Sequence, residues 1–183
     1  MYEIIGKIEG IADFLFNKPT EAELGKIKSG SSGGRSTSEQ RTKLAFLKVH
    51  RNEKGLYLSS EAFLSCLIDG CKKSGLKEKG KAAWPFLQAT VFVDGNLLFG
   101  KKEPDYLHEH WGRIPPKTGA VAIIQRPAIK APWIIPFKLL VADDRRDPEY
   151  IKISLEEGGL LVGLGSWRPK YGRFVVKEFM KKK

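Results

Sequence analysis

One run near the C-terminus, GGLLVGLGSWRPKYGRFVV at residues 158–176, constrains this chain more than any other stretch. It reads as the end of a helix, a glycine-punctuated turn, and the start of a strand. Gly163 and Gly165 lack Cβ atoms, so the backbone can take positive φ there and a ligand can approach it closely. Between Gly165 and Gly172 stand Trp167, Arg168, Lys170 and Tyr171, two cations and two flat apolar surfaces. A phosphate backbone recruits cations and exposed N–H groups, and an unstacked base recruits rings. A plain corner accounts for the same residues, with Trp167 in the core and the two cations solvated. The spacing matches neither G-x-x-x-x-G-K-[ST] nor a G-x-G-x-x-G between a first strand and a first helix. Neither a nucleotide P-loop nor a dinucleotide site is therefore expected.

Charge decides which partners to consider. The chain of 183 residues carries a formal net charge of +11 and an isoelectric point near 9.6, which favours nucleic acid or an anionic membrane surface. The cations are unevenly placed. Residues 159–183 hold seven Lys/Arg against the single Glu178, and residues 26–54 hold eight against Glu39 and Glu53. Residues 143–157 reverse the balance with six acids and three bases. Such polarisation predicts a basic face. Cys66 and Cys71 form no C-x-x-C and have no histidine pair beside them, so both are expected as packing thiols in a reducing compartment. No apolar run approaches the length of a membrane span, and the start is not a signal peptide. We expect a cytoplasmic protein with no membrane partner, metal or cofactor.

In chain order, residues 2–11 alternate as a strand, and residues 12–27 read as a loop or short helix. Residues 28–40 (KSGSSGGRSTSEQ) have the composition of a flexible, basic Gly/Ser-rich loop. A short strand at 55–58 leads into a helix from Glu61 to about Ser74, with Ser59 or Ser60 as N-cap and Gly75 as C-cap. Phe63, Leu64, Leu67, Ile68 and Cys71 give that helix an apolar stripe. Residues 76–83 are charged and expected to be exposed. A β run at 88–93 ends in the Asp94-Gly95-Asn96 turn, with residues 97–99 as its hairpin partner. Residues of about 100–118 read as an irregular insertion. Residues 120–127 and 133–142 read as two adjacent strands, the second at an edge or bulged because of Pro136. A second helix opens at Asp147-Pro148-Glu149, and the last strand spans 173–179. Stripped of insertions, the order is βαββαβ. This predicts an α+β, ferredoxin-like (RRM-like) single domain over residues 1–183, with an antiparallel sheet and two main helices.

The hydrophobic helix followed by Gly163-x-Gly165, six residues and Gly172-Arg173-Phe174 resembles the glycine-rich loop of the RAMP superfamily. The usual family loop is closer to G-x-G-x-x-x-x-x-G-x-G; here the gap is one residue longer and Phe174 replaces the final glycine. Tyr57-Leu58-Ser59-Ser60-Glu61-Ala62-Phe63 is similar to the strand-to-helix junction of the family's backbone subunits. The resemblance implies a ferredoxin-like RNA-binding protein of the CRISPR type, either a subunit that lines a guide RNA or a guide-processing endoribonuclease. Most of the chain is also similar to small uncharacterised phage and prophage proteins. They share the ending Gly163-Leu164-Gly165-Ser166-Trp167-Arg168-Pro169 with Gly172-Arg173-Phe174, and Gln125-Arg126-Pro127 with Trp133. That likeness implies a phage context and no particular chemistry.

Catalysis near neutral pH most often needs histidine, and the chain has His50, His108 and His110. Surface or loop positions account for all three, and His108-x-His110 lacks a third ligand for a metal. No catalytic residue is assigned; His50, just before the first long helix, is the one that a guide-processing ribonuclease would use. The expected function is non-enzymatic binding of single-stranded nucleic acid, RNA before DNA. The expected contacts are Gly163, Gly165, Arg168, Lys170 and Arg173 for phosphates and Trp167 or Tyr171 for a base. Arg126, Lys130, Arg41 and Lys43 would widen the groove. Copies of the chain, or other subunits of a ribonucleoprotein, would line up along the strand. The rival expectation is a phage-encoded protein–protein interaction factor, either an assembly factor or a defence inhibitor.

Overall fold

The computed structural model describes residues 1–19, 21, 37–113 and 121–182. Its centre is a four-stranded sheet in which every neighbour pair is antiparallel: β12 (Phe174–Lys182), β1 (Tyr2–Gly10), β11 (Ile134–Val141) and β7 (Val91–Val93). The chain is α+β. Helix α2 (Ser60–Ser74) lies on the connection from β1 to β7, and helix α4 (Pro148–Glu157) on the connection from β11 to β12.

Period-two patterning builds the sheet. Along β1, Tyr2, Ile4 and Ile8 are buried while Glu3, Lys7 and Glu9 point the other way. On β11 the buried set is Ile135, Phe137, Leu139 and Val141. The helices cover this face. Helix α2 contributes Phe63, Cys66, Leu67, Ile68 and Cys71, and α4 contributes Ile151 and Leu155. Each large apolar side chain buried in this way stabilises the fold by roughly 1.5–3 kcal/mol. Ser59 caps α2 through the Ala62 N–H, Gly75 closes it at φ 66°, and Asp147 caps α4 through the Glu149 N–H. Pro136 sits where β11 is locally an edge, because β7 pairs only with Leu139–Val141.

A second sheet joins β2 (Phe14–Leu15), β10 (Val121–Ile129) and β9 (Tyr106–Arg113) in the order β2-β10-β9. Several expectations are corrected here. Residues 106–113 are a regular strand rather than part of an irregular insertion; residues 114–120 lie outside the described residues. The strands at 121–129 and 134–141 are not neighbours. Asp105 accepts the Lys130 N–H at 2.8 Å and Asp13 accepts the Ala131 N–H at 2.9 Å, fixing a corner that carries the chain from one sheet to the other.

Residues 97–98 form β8, which pairs with β4 (Gly55–Leu58) instead of folding back on β7. The Asp94 N–H still donates to Lys138 O, so the chain leaves β7 along β11. β4 also pairs with β3 (Arg51–Asn52). The charged stretch expected to be exposed at 76–83 is largely exposed over residues 77–82, which form the short hairpin of β5 (Lys77–Glu78) and β6 (Lys81–Ala82). Helix α3 (Trp84–Thr90) occupies the beginning of the expected strand at 88–93, with proline in its first turn.

Of the Gly/Ser-rich loop expected at 28–40, residues 38–40 are helical. Residues 28–36 lie outside the described residues, and Thr37 caps helix α1 (Ser38–Phe46) in a reciprocal capping box with Gln40.

Candidate nucleic-acid interface

The glycine turn is fixed by its own backbone. After α4 the chain makes one π-helical turn over Gly158–Val162, and the Gly163 N–H donates to Gly158 O at 2.8 Å. The Leu164 N–H donates to Gly172 O at 2.9 Å, closing the loop at its neck. Ser166 donates to Leu15 O at 2.9 Å and Gly172 to Asp13 O at 2.8 Å, which stitches the turn to β2 and the residues before it. Gly163, Gly165 and Gly172 have φ of 75°, 77° and 71°. A Cβ on Gly165 would meet Leu15 O and the Phe14 ring, and one on Gly172 would run into Leu164 O. The close approach that glycine permits is therefore used by the protein's own backbone. The Gly163 and Gly172 N–H groups point inward, while the side chains of Arg168, Lys170 and Arg173 are exposed.

Inside the turn, Trp167 takes a left-handed conformation at φ 56°. Its ring packs against β9 and β10. His110 lies at 4.1 Å between ring centroids and His108 at 5.6 Å, and the Arg126 guanidinium sits over the indole at 4.6 Å. His108 and Arg126 are direct cross-strand partners, so both side chains rise from one face of the hairpin. The Tyr171 hydroxyl lies 3.2 Å from His108 Nε2. Burial, reinforced by neighbouring His110 and Lys170, holds the His108 imidazole below its ordinary value, with Asp13 opposing. The Tyr106 hydroxyl donates to Asp13 Oδ2 at 2.5 Å, and burial, followed by this carboxylate, raises the phenol well above its usual range.

Electrostatics separate this turn from the open face of the central sheet. On that face Lys7 pairs with Glu178 at 2.8 Å, Lys138 with Glu3 at 2.8 Å, and Lys177 with Glu9 at 3.2 Å. Among the described residues, Arg168, Lys170 and Arg173 reach no carboxylate. The acid-rich stretch at 143–149 is spent locally. Asp143 pairs with Arg145 and Arg146, which pull its carboxyl down to about 2, and Arg146 also binds Glu78.

The expected contact residues fall into three groups. Arg168, Lys170, Arg173 and Gly165 share the exposed turn. Trp167, Tyr171 and Arg126 share the packed cluster behind it, where the indole is already engaged by Arg126 and His110. Lys130 is exposed after β10 with its ammonium 5.7 Å from the Tyr106 ring, and Lys43 is exposed on α1. The Arg41 side chain lies outside the described residues. His50 is half-buried and shares a cavity with Gly165 and Arg168. Sequence reasoning left His108 and His110 outside the site. Their alternation with Leu107, Glu109 and Trp111 was the available signal, masked by the prolines on either side. Among the described residues no group of three His, Cys, Asp or Glu side chains is placed to hold a metal ion, and no helix is long and apolar enough to cross a membrane.

No protein-family model and no curated protein matches the chain. Among solved structures it is similar to Cmr6 from Pyrococcus furiosus, with a TM-score of 0.43 and 13% identity over 96% of this chain and 98% of that one.

Proposed function

We propose that this chain is a non-enzymatic, single-domain protein that binds single-stranded nucleic acid, RNA in preference to DNA, through the surface of its glycine turn. One observation carries the reading. Among the described residues, Arg168, Lys170 and Arg173 stand exposed within six residues with no acid paired to them, while Lys7, Lys138 and Lys177 on the open sheet face are neutralised by Glu178, Glu3 and Glu9. A polyanion gains most where cations are not already compensated. The internally bonded turn fixes the backbone that carries the three side chains, so binding has only the side chains to order. The rings of His110 and Trp167 beside them suit a base edge more than a full stack.

The same reading takes the core as ferredoxin-like. Its support is the strand order β12-β1-β11-β7, with α2 on the connection from β1 to β7 and α4 on the connection from β11 to β12. A RAMP-type relationship, with assembly along a strand beside further copies or other ribonucleoprotein subunits, rests on the residues of the turn. The test is fluorescence anisotropy of a labelled single-stranded RNA against salt. Binding should weaken linearly in log–log form, with a slope of roughly −0.7 for each phosphate neutralised.

A second reading, a protein–protein interaction factor, is favoured by one feature. Trp111 is 69% exposed beside its cross-strand partner Ile123 on the far face of the β9–β10 hairpin. Absence of RNA and DNA binding at low salt would select it.

A further inference from the structure

The glycine turn has a second side, away from the Trp167 cluster. There a cavity of about 290 Å³ opens between the turn, the first turns of α2 and the strand edge after β2. That volume lies at the small end of ligand pockets, enough for one compact ligand and too little for a folded segment. Its lining is mixed. Phe14, Phe16 and Leu58 form the apolar part, and Ser65, Ser166, His50 and Arg168 supply the polar residues.

Each polar group has a distinct capacity. Arg168 is exposed at the mouth and offers a planar fork of donors to a phosphate. Ser166 spends its backbone N–H on Leu15 O and lines the cavity. His50 is half-buried. Burial, followed by the charge of Lys18, lowers its affinity for a proton, with Glu61 opposing. At neutral pH its ring therefore offers one donor and one acceptor, the pair that a base edge requires. The N-terminal end of α2 is not the phosphate partner, because Ser59 already caps it through the Ala62 N–H and the acidic side chain of Glu61 stands in its first turn. The phosphate position is left to Arg168.

We propose that this cavity holds one nucleotide unit, its phosphate on Arg168 and Ser166 and its base inward against Phe14, Phe16 and His50. The inference rests on the nucleic-acid reading of the turn and names what that turn does with the strand. A chain of phosphates following Arg173, Lys170 and Arg168 passes the mouth, where one nucleotide leaves the run and is read by its edge.

The test titrates the full chain with uridine or adenosine monophosphate, with inorganic phosphate, and with single-stranded RNA. A nucleoside monophosphate should bind at least about tenfold more tightly than inorganic phosphate, the gain expected from enclosing a base. Ser65→Phe, at an exposed helix position on the rim, should fill the cavity and remove that gain while leaving the melting temperature unchanged. If Ser65→Phe melts lower than the parent, Ser65→Gln replaces it and should remove the gain in part. Equal affinity for phosphate and nucleoside monophosphate overturns the inference, as does a gain that survives both substitutions. If the strand still binds through Arg168, Lys170 and Arg173 in that case, the nucleotide cavity falls alone. If the strand does not bind either, both readings fall.

Discussion

The hydroxyl of Tyr171 meets Nε2 of His108 across 3.2 Å, joining the glycine turn to the middle of β9. A neutral imidazole with a bare Nε2 accepts a hydrogen bond from the phenol O–H, whereas an imidazolium, protonated on both nitrogens, can only donate there. It would also stand directly opposite Arg126 and close to His110 and Lys170. The junction is built for the uncharged ring.

That relationship gives stability a pH dependence of definite sign. A histidine held below 6.5 in the folded state contributes stability fully above 6.5, and this is lost as pH falls through the folded value. Thermal melts should therefore drop in temperature between pH 7.5 and pH 5. His50 shifts in the same direction, so the test is a difference. His108→Gln should shrink the drop without abolishing it. An unchanged pH profile would place the loss elsewhere.

Trp167 combines a packed ring with a strained backbone, and the two can be separated. Trp167→Ala loses the contacts with Arg126, His108 and His110 at a cost of about 2 kcal/mol, below that of a fully buried Trp. It also leaves a Cβ at φ 56°. Trp167→Gly loses the same ring and relieves the backbone, so it should be the more stable of the two by about 1 kcal/mol. Urea denaturation of the pair reads this difference.

Two glycines with nearly equal φ should respond differently to alanine. At Gly172 a Cβ would collide with Leu164 O at the neck of the turn, and Gly172→Ala should cost about 3–4 kcal/mol. At Gly75 nothing lies within 4 Å, and Gly75→Ala should cost only about 1 kcal/mol. Denaturant midpoints for both variants check the contrast.

Removing the cations of the turn should affect binding and leave the fold intact. Arg168→Ala, Lys170→Ala and Arg173→Ala together should flatten the slope of log affinity against log salt by about 2, or about 0.7 for each lost phosphate contact. The melting temperature should stay within a degree or two, because none of the three holds an internal ion pair among the described residues.

The parts of this fold that a sequence displays are those fixed by local rules. Alternation in Tyr2–Gly10, the stripe of Ser60–Ser74 between Ser59 and Gly75, and Asp147-Pro148 before α4 each state their structure within a few residues. The misreadings arise where distant contacts decide. Nothing near Leu97 says that its partner is Leu58. The corner at residues 130–131 depends on Asp13, 118 residues away from Ala131. One miss was local. Thr37 and Gln40 spell a capping box at the end of a stretch whose serines and glycines suggest a linker. At the site, the residues of the turn were visible together, but their division was not. The glycines are packed against the protein's own carbonyls, Trp167 leans on two histidines from another strand, and the cations stand outward.

The central claim is that a strand lies on the outward side of this turn, and chemical-shift mapping with a short single-stranded RNA tests it most directly. The largest backbone and side-chain shifts should cluster at Ser166, Arg168, Lys170 and Arg173 and fade at high salt. Shifts centred on the open sheet face around Ile5 and Lys138, or on Trp111 and Ile123, would contradict it, as would a spectrum that RNA leaves unchanged at low salt.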